Sequence, residues 1–427
     1  MVDVAPNQEA ESFPLAEYPR LRPIEVFPVQ DGGRRGLVLR DPADPRISPV
    51  VVSDGVAQVL ALLDGQRTVS QLASHLLLRG ASVTEAQLRA FLSRLDEAGF
   101  LEGPRACDRL ARRRADFLAQ PVRAAVHAGG AYADDVQELA AMLAAGYLHA
   151  DGPGALPGLR PARAAPVRAA IAPHVDLHRG APTYSWTYRA LAEAAAADVY
   201  VVLGTCHTPV EGHFAATLKA YDTPFGVVPS DADFLSRLGR AWGRDLFAGE
   251  FSHAAEHSIE FQAVYLRSLG LASEGTAAIV PLLCDSLHSM VPPGSLPRSV
   301  PVVGDFVDAL HEAIRADGRR ITLIAAVDLA HVGPRFGDSW PVDAPRQASV
   351  GAADRDMLEL ILRPDPEGYY AQVMRDEDSR RICGLTPLYV LSALMQREQR
   401  RGELLRYTRW VDADLSSSVT FASAIFR

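Results

Sequence analysis

The chain has 427 residues, 48% hydrophobic and 22% charged, the composition of an ordinary globular protein with room for two or three domains. Net charge is −9 and Lys219 is the only lysine, so a lysine nucleophile or Schiff base is excluded elsewhere, and the longest basic run, Arg112-Arg113-Arg114, is too short for a nucleic-acid surface. No apolar stretch approaches the ~20 residues of a membrane helix, the first 14 residues lack the basic and apolar regions of a signal peptide, and Cys107, Cys206, Cys284 and Cys383 are too dispersed for a zinc ribbon or disulfide framework; a cytoplasmic protein is expected.

Residues 1–17 are polar and acidic and are expected to be disordered. Residues 18–103 have a periodicity of their own. Short strands are predicted at Gly36–Leu39 and Val50–Val52, and Asp54 is placed to cap a helix with Val56, Val59, Leu60 and Leu63 on its apolar face. Thr68 starts a second helix with Val69, Leu72, Ala73, Leu76 and Leu77 inward. Thr84 starts a third with Leu88, Phe91, Leu92 and Leu95 on one face, closed by Gly99. Three helices with flanking strands describe a small winged-helix α+β domain. Residues 1–105 hold 11 arginines against 14 carboxylates, which argues against DNA as its partner. Residues 104–122 read as an Arg- and Ala-rich connector, partly helical.

Residues 123–427 read as an α/β domain. A helix is predicted over Asp134–Leu148, followed by a Pro-, Gly- and Ala-rich loop, Asp151–Pro166. The apolar runs Val167–Ile171, Val199–Leu203, Ala277–Leu283, Ile321–Val327 and Val419–Ile425 alternate with amphipathic helices, the pattern of a parallel or mixed sheet. Three of these runs lead into histidine: Ala172-Pro173-His174, Gly204-Thr205-Cys206-His207 and Asp328-Leu329-Ala330-His331. In an open α/β sheet, the carboxyl ends of parallel strands share the edge where ligands bind. Three imidazoles delivered there point to a metal or acid/base site.

Glu256–Gln262 is predicted on a helix, which puts His257 and Glu260 on one face as an acid/base pair or a buried structural hydrogen bond. Cys206 precedes His207, but neighbours on an extended backbone face opposite ways. Cys383 falls at a predicted helix start, where a thiol pKa can be lowered, although a small buried residue is the commoner outcome. Arg335 and Arg381 are candidate anchors for an anionic group. His127, His149, His213, His288 and His311 read as surface or structural. No nucleophile elbow, P-loop or dinucleotide fingerprint is found.

Seven blocks, in order, carry a family resemblance: Val122–Gly130, Ala172–His174, Gly204–His207, Tyr221–Gly226, Glu256–Gln262, Asp328–Gly333 and Arg381–Pro387. On these the large domain resembles the Memo-like family, specifically the bacterial AmmeMemoRadiSam system protein B. The resemblance implies a fold shared with class III extradiol dioxygenases, non-haem iron enzymes, and a metal pocket on His174 and His207. Where some members carry a cysteine just before the last histidine of the Asp328–His331 block, this chain has Ala330, which cannot ligate. Asp176 offers one route to a third ligand, giving the two-histidine, one-carboxylate set that suits Fe(II). Asp328 and His331 offer another, unless Asp328 orients His331 from behind. The expected cofactor is Fe(II), with zinc as the alternative, and the expected catalytic groups are His257, Glu260 and Asp328.

The smaller unit resembles PqqD-like proteins through Arg20-Leu21-Arg22-Pro23, through Leu62-Leu63-Asp64-Gly65 with Thr68-Val69 after it, and through its Phe91–Leu101 ending. That resemblance implies docking of a leader peptide by strand addition. A peptide or protein substrate and a radical-SAM partner protein are therefore expected, and neither nucleic acid nor membrane. The rivals are a non-catalytic metal- or peptide-binding scaffold, and a metal-independent hydrolase or lyase using Cys206 or Cys383.

Overall fold

The computed structural model describes residues 15–31, 34–41, 49–161, 163–412 and 416–427. Most of the segment expected to be disordered, residues 1–17, lies outside the described residues. The chain divides into two compact units, residues 1–119 and 120–427.

In the first unit, β1 (Glu25–Asp31), β2 (Arg34–Arg40) and β3 (Val50–Ser53) form an antiparallel sheet in that order. Asp54 is not a helix cap: it opens a single 3-10 turn before the short α1 (Ala57–Leu60). Then come α2 (Val69–Leu78), α3 (Glu85–Ala98) and α4 (Pro104–Ala119). Thr68 and Thr84 each close a capping box, with Gln71 and Gln87, and Gly99 ends α3 at φ 85°, a conformation open to glycine at little cost. Val69, Leu72, Leu76, Leu88, Leu92, Leu95 and Phe100 share one core, whereas Leu77, expected inward, is 66% exposed. The stretch expected as a connector is a regular helix up to Ala119. Arg105 pairs with Asp96 at 3.0 Å, and Arg109 donates to the carbonyls of Glu97 and Ala98, so α4 is fastened to α3.

The second unit contains, in chain order, β4 (Val122–Arg123), α5 (Val136–Leu148), β5 (Ala169–Ala172), α6 (Leu177–Glu193), β6 (Val199–Thr205), β7 (Phe214–Ala216), β8 (Ala220–Tyr221), α7 (Ala232–Trp242) and α8 (Ser258–Ser268). These are followed by β9 (Ala278–Cys284), α9 (Leu287–Met290), α10 (Pro301–Asp317), β10 (Ile321–Ala326), β11 (His331–Val332), α11 (Ala344–Leu362), α12 (Pro366–Met374), α13 (Leu385–Arg397), β12 (Gly402–Asp412) and β13 (Ser417–Phe426).

Eight strands form one mixed sheet, ordered β11-β13-β5-β10-β6-β9-β7, with β12 paired to β13. Strands β5, β10, β6 and β9 are mutually parallel. Along β6, Val199, Val201 and Leu203 enter the core that holds Phe234, Phe306 and Leu388 of α7, α10 and α13. Tyr200 and Val202 enter the opposite core, with Leu139, Tyr188 and Phe261 of α5, α6 and α8. A sheet covered on both faces explains why these strands read as unbroken apolar runs. Among the described residues, no helix is long and apolar enough to cross a membrane.

Candidate metal centre

All four parallel strands end on one edge of the sheet, and the residues just beyond them build the site. His174 follows β5, Asp328 follows β10 and His207 follows β6, whereas Asp285, beyond β9, is not one of the clustered groups. His257 joins them from the N-terminus of α8. One potential ligand nitrogen from each of His174, His207 and His257 lies within 4.8 Å of the other two. Ring centroids are 5.0 Å apart for His174 and His207, 5.2 Å for His174 and His257, and 4.8 Å for His207 and His257.

Close backbone contact makes this convergence achievable. A Cβ on Gly204 of β6 would meet Ser258 Oγ and Ile259 Cγ1, each at 2.6 Å, so only glycine lets the strand approach the start of α8. Ser258 Oγ donates to the carbonyl of Thr205 at 2.8 Å, which fastens the two segments bearing His207 and His257.

Glu256 sets both of those imidazoles. Its carboxylate accepts from the backbone N–H of His207 (2.9 Å), His257 (2.8 Å) and Ser258 (3.0 Å). It also lies 3.0 Å from His207 Nδ1 and 3.2 Å from His257 Nδ1. Burial opposes ionisation of Glu256, but the adjacent imidazoles and these N–H donors win and hold its pKa well below the usual carboxylate value. An ionised carboxylate only accepts, so Nδ1 of His207 is the donor and its Nε2 keeps its lone pair, whereas His257 Nδ1 is near the carboxylate without hydrogen-bonding to it. His174 is set by different means to the same end, with Nδ1 3.0 Å from the carbonyl of Ala326.

Burial pushes His174 down to about 3 and His257 well below the ordinary imidazole value. Both are neutral at pH 7, the form that ligates a metal. His174 is sealed, while the His207 and His257 side chains are 38% and 28% exposed, so the cluster opens to solvent on their side.

A thiol also reaches the cluster. Cys383, just before α13, places Sγ 3.2 Å from His174 Nε2. A Cβ on Gly384 would lie 2.6 Å from Val327 Cβ and 2.8 Å from the carbonyl of Asp328, so the next residue must be glycine for this loop to press onto the end of β10. The thiol's pKa is not lowered, as the helix start had suggested, but raised well above the ordinary value by burial, with Asp328 and Glu256 adding to it. Three converging imidazoles, two of them held neutral by burial, with a thiol at hand fit a borderline transition metal such as Fe(II) or zinc, both of which accept nitrogen and sulfur donors.

The remaining expected residues fall into different places. Asp176 does not join the cluster: it precedes α6 and its carboxylate lies 3.3 Å from the Arg179 guanidinium. His331 also stays outside the three-imidazole group, with Nδ1 3.0 Å from the carbonyl of Leu329 and its ring edge against Phe336. Asp328 is buried beside His174, its Oδ2 3.8 Å from His174 Nε2, and its Oδ1 accepts from the backbone N–H of His174 (3.0 Å) and Val175 (3.3 Å). Burial raises its carboxyl to about 6. Glu260 is not the partner of His257. It is fully buried and committed to Arg123, Tyr132 Oη and the N–H of His127. Arg335 and Arg381 are occupied by Asp412 and Asp338.

Sequence reasoning missed Glu256 and the place of His257 in the imidazole cluster. A signal was available: a glutamate immediately before His257-Ser258 can turn back onto the free N–H groups of a helix start. Ala330 is buried, and the sulfur that approaches the cluster comes instead from Cys383 on a different segment.

The comparisons with known proteins agree with this architecture. The family model described as "Memo-like protein" matches residues 123–425. A MEMO1 family protein of Aquifex aeolicus is 25% identical over 406 residues, covering 94% of this chain and 99% of that protein. A second, of Methanopyrus kandleri, is 29% identical over 308 residues, covering 70% of this chain and 97% of its own. A third, of Thermus thermophilus, is 27% identical over 355 residues, covering 83% and 97%. With the fold, the ordered blocks and the family match in agreement, this chain belongs to the Memo-like family.

Proposed function

We propose that this protein is a cytoplasmic, metal-dependent enzyme with a non-haem iron centre, related in chemistry to the class III extradiol dioxygenases. The observation that carries this reading is the convergence of His174, His207 and His257, with Nδ1 of His174 and His207 hydrogen-bonded away from the cluster and His257 Nδ1 3.2 Å from the Glu256 carboxylate. Packing alone gives no reason to bring ring nitrogens of three imidazoles, one of them sealed, to within 4.8 Å of one another. His174, His207 and His257 would hold the metal, with Cys383 as a neighbouring donor, and the metal would supply Lewis-acid or redox chemistry to a bound substrate.

The chain's own groups do the positioning. Glu256 fixes the His207 ring in one tautomer, holds the backbone of His257 and offsets charge brought into the site. Asp328 holds the His174 backbone and, with its carboxyl raised to about 6, can take or give a proton near neutral pH. The opening beside His207 and His257 admits the substrate. We further propose that the first unit docks a peptide or protein substrate on its small sheet and raises its effective concentration at the site, in a system that includes a radical-SAM protein.

Elemental analysis of anaerobically purified protein tests the proposal. Near-stoichiometric iron in the wild type, and none in a folded His174→Ala/His207→Ala variant, is the expected result. Zinc in place of iron would redirect the chemistry to hydrolysis. Absence of any metal after Fe(II) and Zn(II) addition would leave the non-catalytic scaffold.

A further inference from the structure

We infer that His213, held by Asp285, is a second functional imidazole on the same sheet edge: a carboxylate-backed base that accepts a proton from a substrate O–H or N–H. This rests on the metal-centre reading for its substrate but on separate residues for its geometry.

Register places it. Thr205 of β6 pairs with Cys284 of β9, which pairs with Phe214 of β7. His207, Asp285 and His213 therefore lie one or two residues beyond a single line across three adjacent strands. His213 sits two strand spacings from the His207 strand, ~10 Å away. The loop carrying Cys383 spans the same gap: Thr205 Oγ1 donates to the carbonyl of Cys383 (3.2 Å) and Thr386 Oγ1 to the carbonyl of Asp285 (2.6 Å).

The pair is built as a base. Asp285 is 7% exposed, and its carboxylate accepts from the N–H of Ser286 (2.8 Å), from Ser289 Oγ (2.9 Å) and from His213 Nδ1 (2.8 Å). Because the carboxylate accepts, Nδ1 carries the proton and Nε2 is the free base. Nε2 has no hydrogen-bond partner among the described residues, and the side chain is 38% exposed. His213 also adopts φ 71°, a left-handed conformation costly for a residue with a Cβ and retained where surroundings or function demand it. In the step, Nε2 binds the substrate proton, the substrate oxygen or nitrogen keeps the electron pair, and the ionised Asp285 stabilises the imidazolium. The substrate must then extend from the atom held at the metal cluster across the ~10 Å of two strand spacings to an ionisable group at His213.

Diethyl pyrocarbonate modification of the full chain, read histidine by histidine by peptide mass spectrometry, tests this without knowing the substrate. His213 is expected to react several-fold faster than the exposed His178, and Asp285→Asn is expected to remove that advantage while leaving metal content and the His178 rate unchanged. Equal rates for His213 and His178, or no change in Asp285→Asn, would overturn the inference. If that variant does not fold, ¹⁵N-histidine spectra of the wild type, with His213 identified by His213→Gln, decide the matter: the neutral ring must be protonated on Nδ1, and protonation on Nε2 overturns it. A metal-free protein with a fast His213 would refute the metal centre and keep the dyad, whereas a metal-loaded protein with a slow His213 would refute the dyad alone.

Discussion

Glu256 accepts both the backbone N–H of His207, at 2.9 Å, and the same residue's ring Nδ1, at 3.0 Å. One carboxylate thereby fixes where the strand end lies and which ring nitrogen faces the cluster. Glu256→Gln keeps the shape but brings an NH2 that cannot accept from the donors around it. Metal affinity is expected to fall about 10- to 100-fold, the usual cost of losing a carboxylate behind a ligating histidine. A chelator competition titration measures this, and unchanged affinity would show that Glu256 serves only the start of α8.

Glu260 has a different fate, and a substitution there reads stability rather than metal affinity. It forms a fully buried ion pair with Arg123, and Tyr132 and His127 also donate to it. Removing one partner leaves a buried, uncompensated charge, so Glu260→Ala should lower unfolding free energy by about 3–5 kcal/mol. Urea denaturation reads the loss. A Glu260 variant of normal stability would mean that the pair is not buried as described.

Two histidines should give stability opposite pH dependences. Burial depresses His253 to about 3, with Nε2 3.0 Å from the Ala215 carbonyl and Nδ1 2.7 Å from Tyr221 Oη. Below its unfolded value of ~6.5 the unfolded chain binds a proton that the folded chain refuses, so stability falls as pH drops from there towards 3. His288 is raised by its hydrogen bond to Asp378, so its contribution is full below ~6.5 and lost as pH rises through the raised value. Urea midpoints at pH 7.5 and 5.0 should differ less in His253→Gln than in the wild type, and more in His288→Gln.

Asp176 and Cys383 exchange the importance that the sequence suggested. Asp176→Ala removes an exposed ion pair with Arg179 and should leave metal content unchanged, with stability altered by no more than about 1 kcal/mol. Gly384→Ala, by contrast, puts a methyl group against Val327 and the Asp328 carbonyl and should displace Cys383 from His174. The expected sign is a faster reaction of the Cys383 thiol with a maleimide, and an unaltered rate would contradict the assigned packing.

Much of this was legible in the residues. The predicted runs ending before His174 and His207 overlap β5 and β6, because strands buried on both faces must be apolar throughout. The edge strand β12, Gly402–Asp412, was missed, since its Arg406, Arg409 and Glu403 break any apolar pattern. His331 looked equivalent to His174 and His207, yet it opens the short strand β11, antiparallel to β13, and its Nδ1 is turned to the Leu329 carbonyl rather than joining the cluster. Cys383 was harder still. Its contact with His174 spans 209 residues of sequence, and no local periodicity reports such an encounter.

X-ray absorption spectroscopy of the iron- or zinc-loaded full chain tests the central claim most directly, because it counts the atoms around the metal. The account predicts scattering from three imidazoles in the wild type, with one lost in His257→Ala. A spectrum with no imidazole contribution, or one unchanged by His257→Ala, would contradict the three-histidine centre.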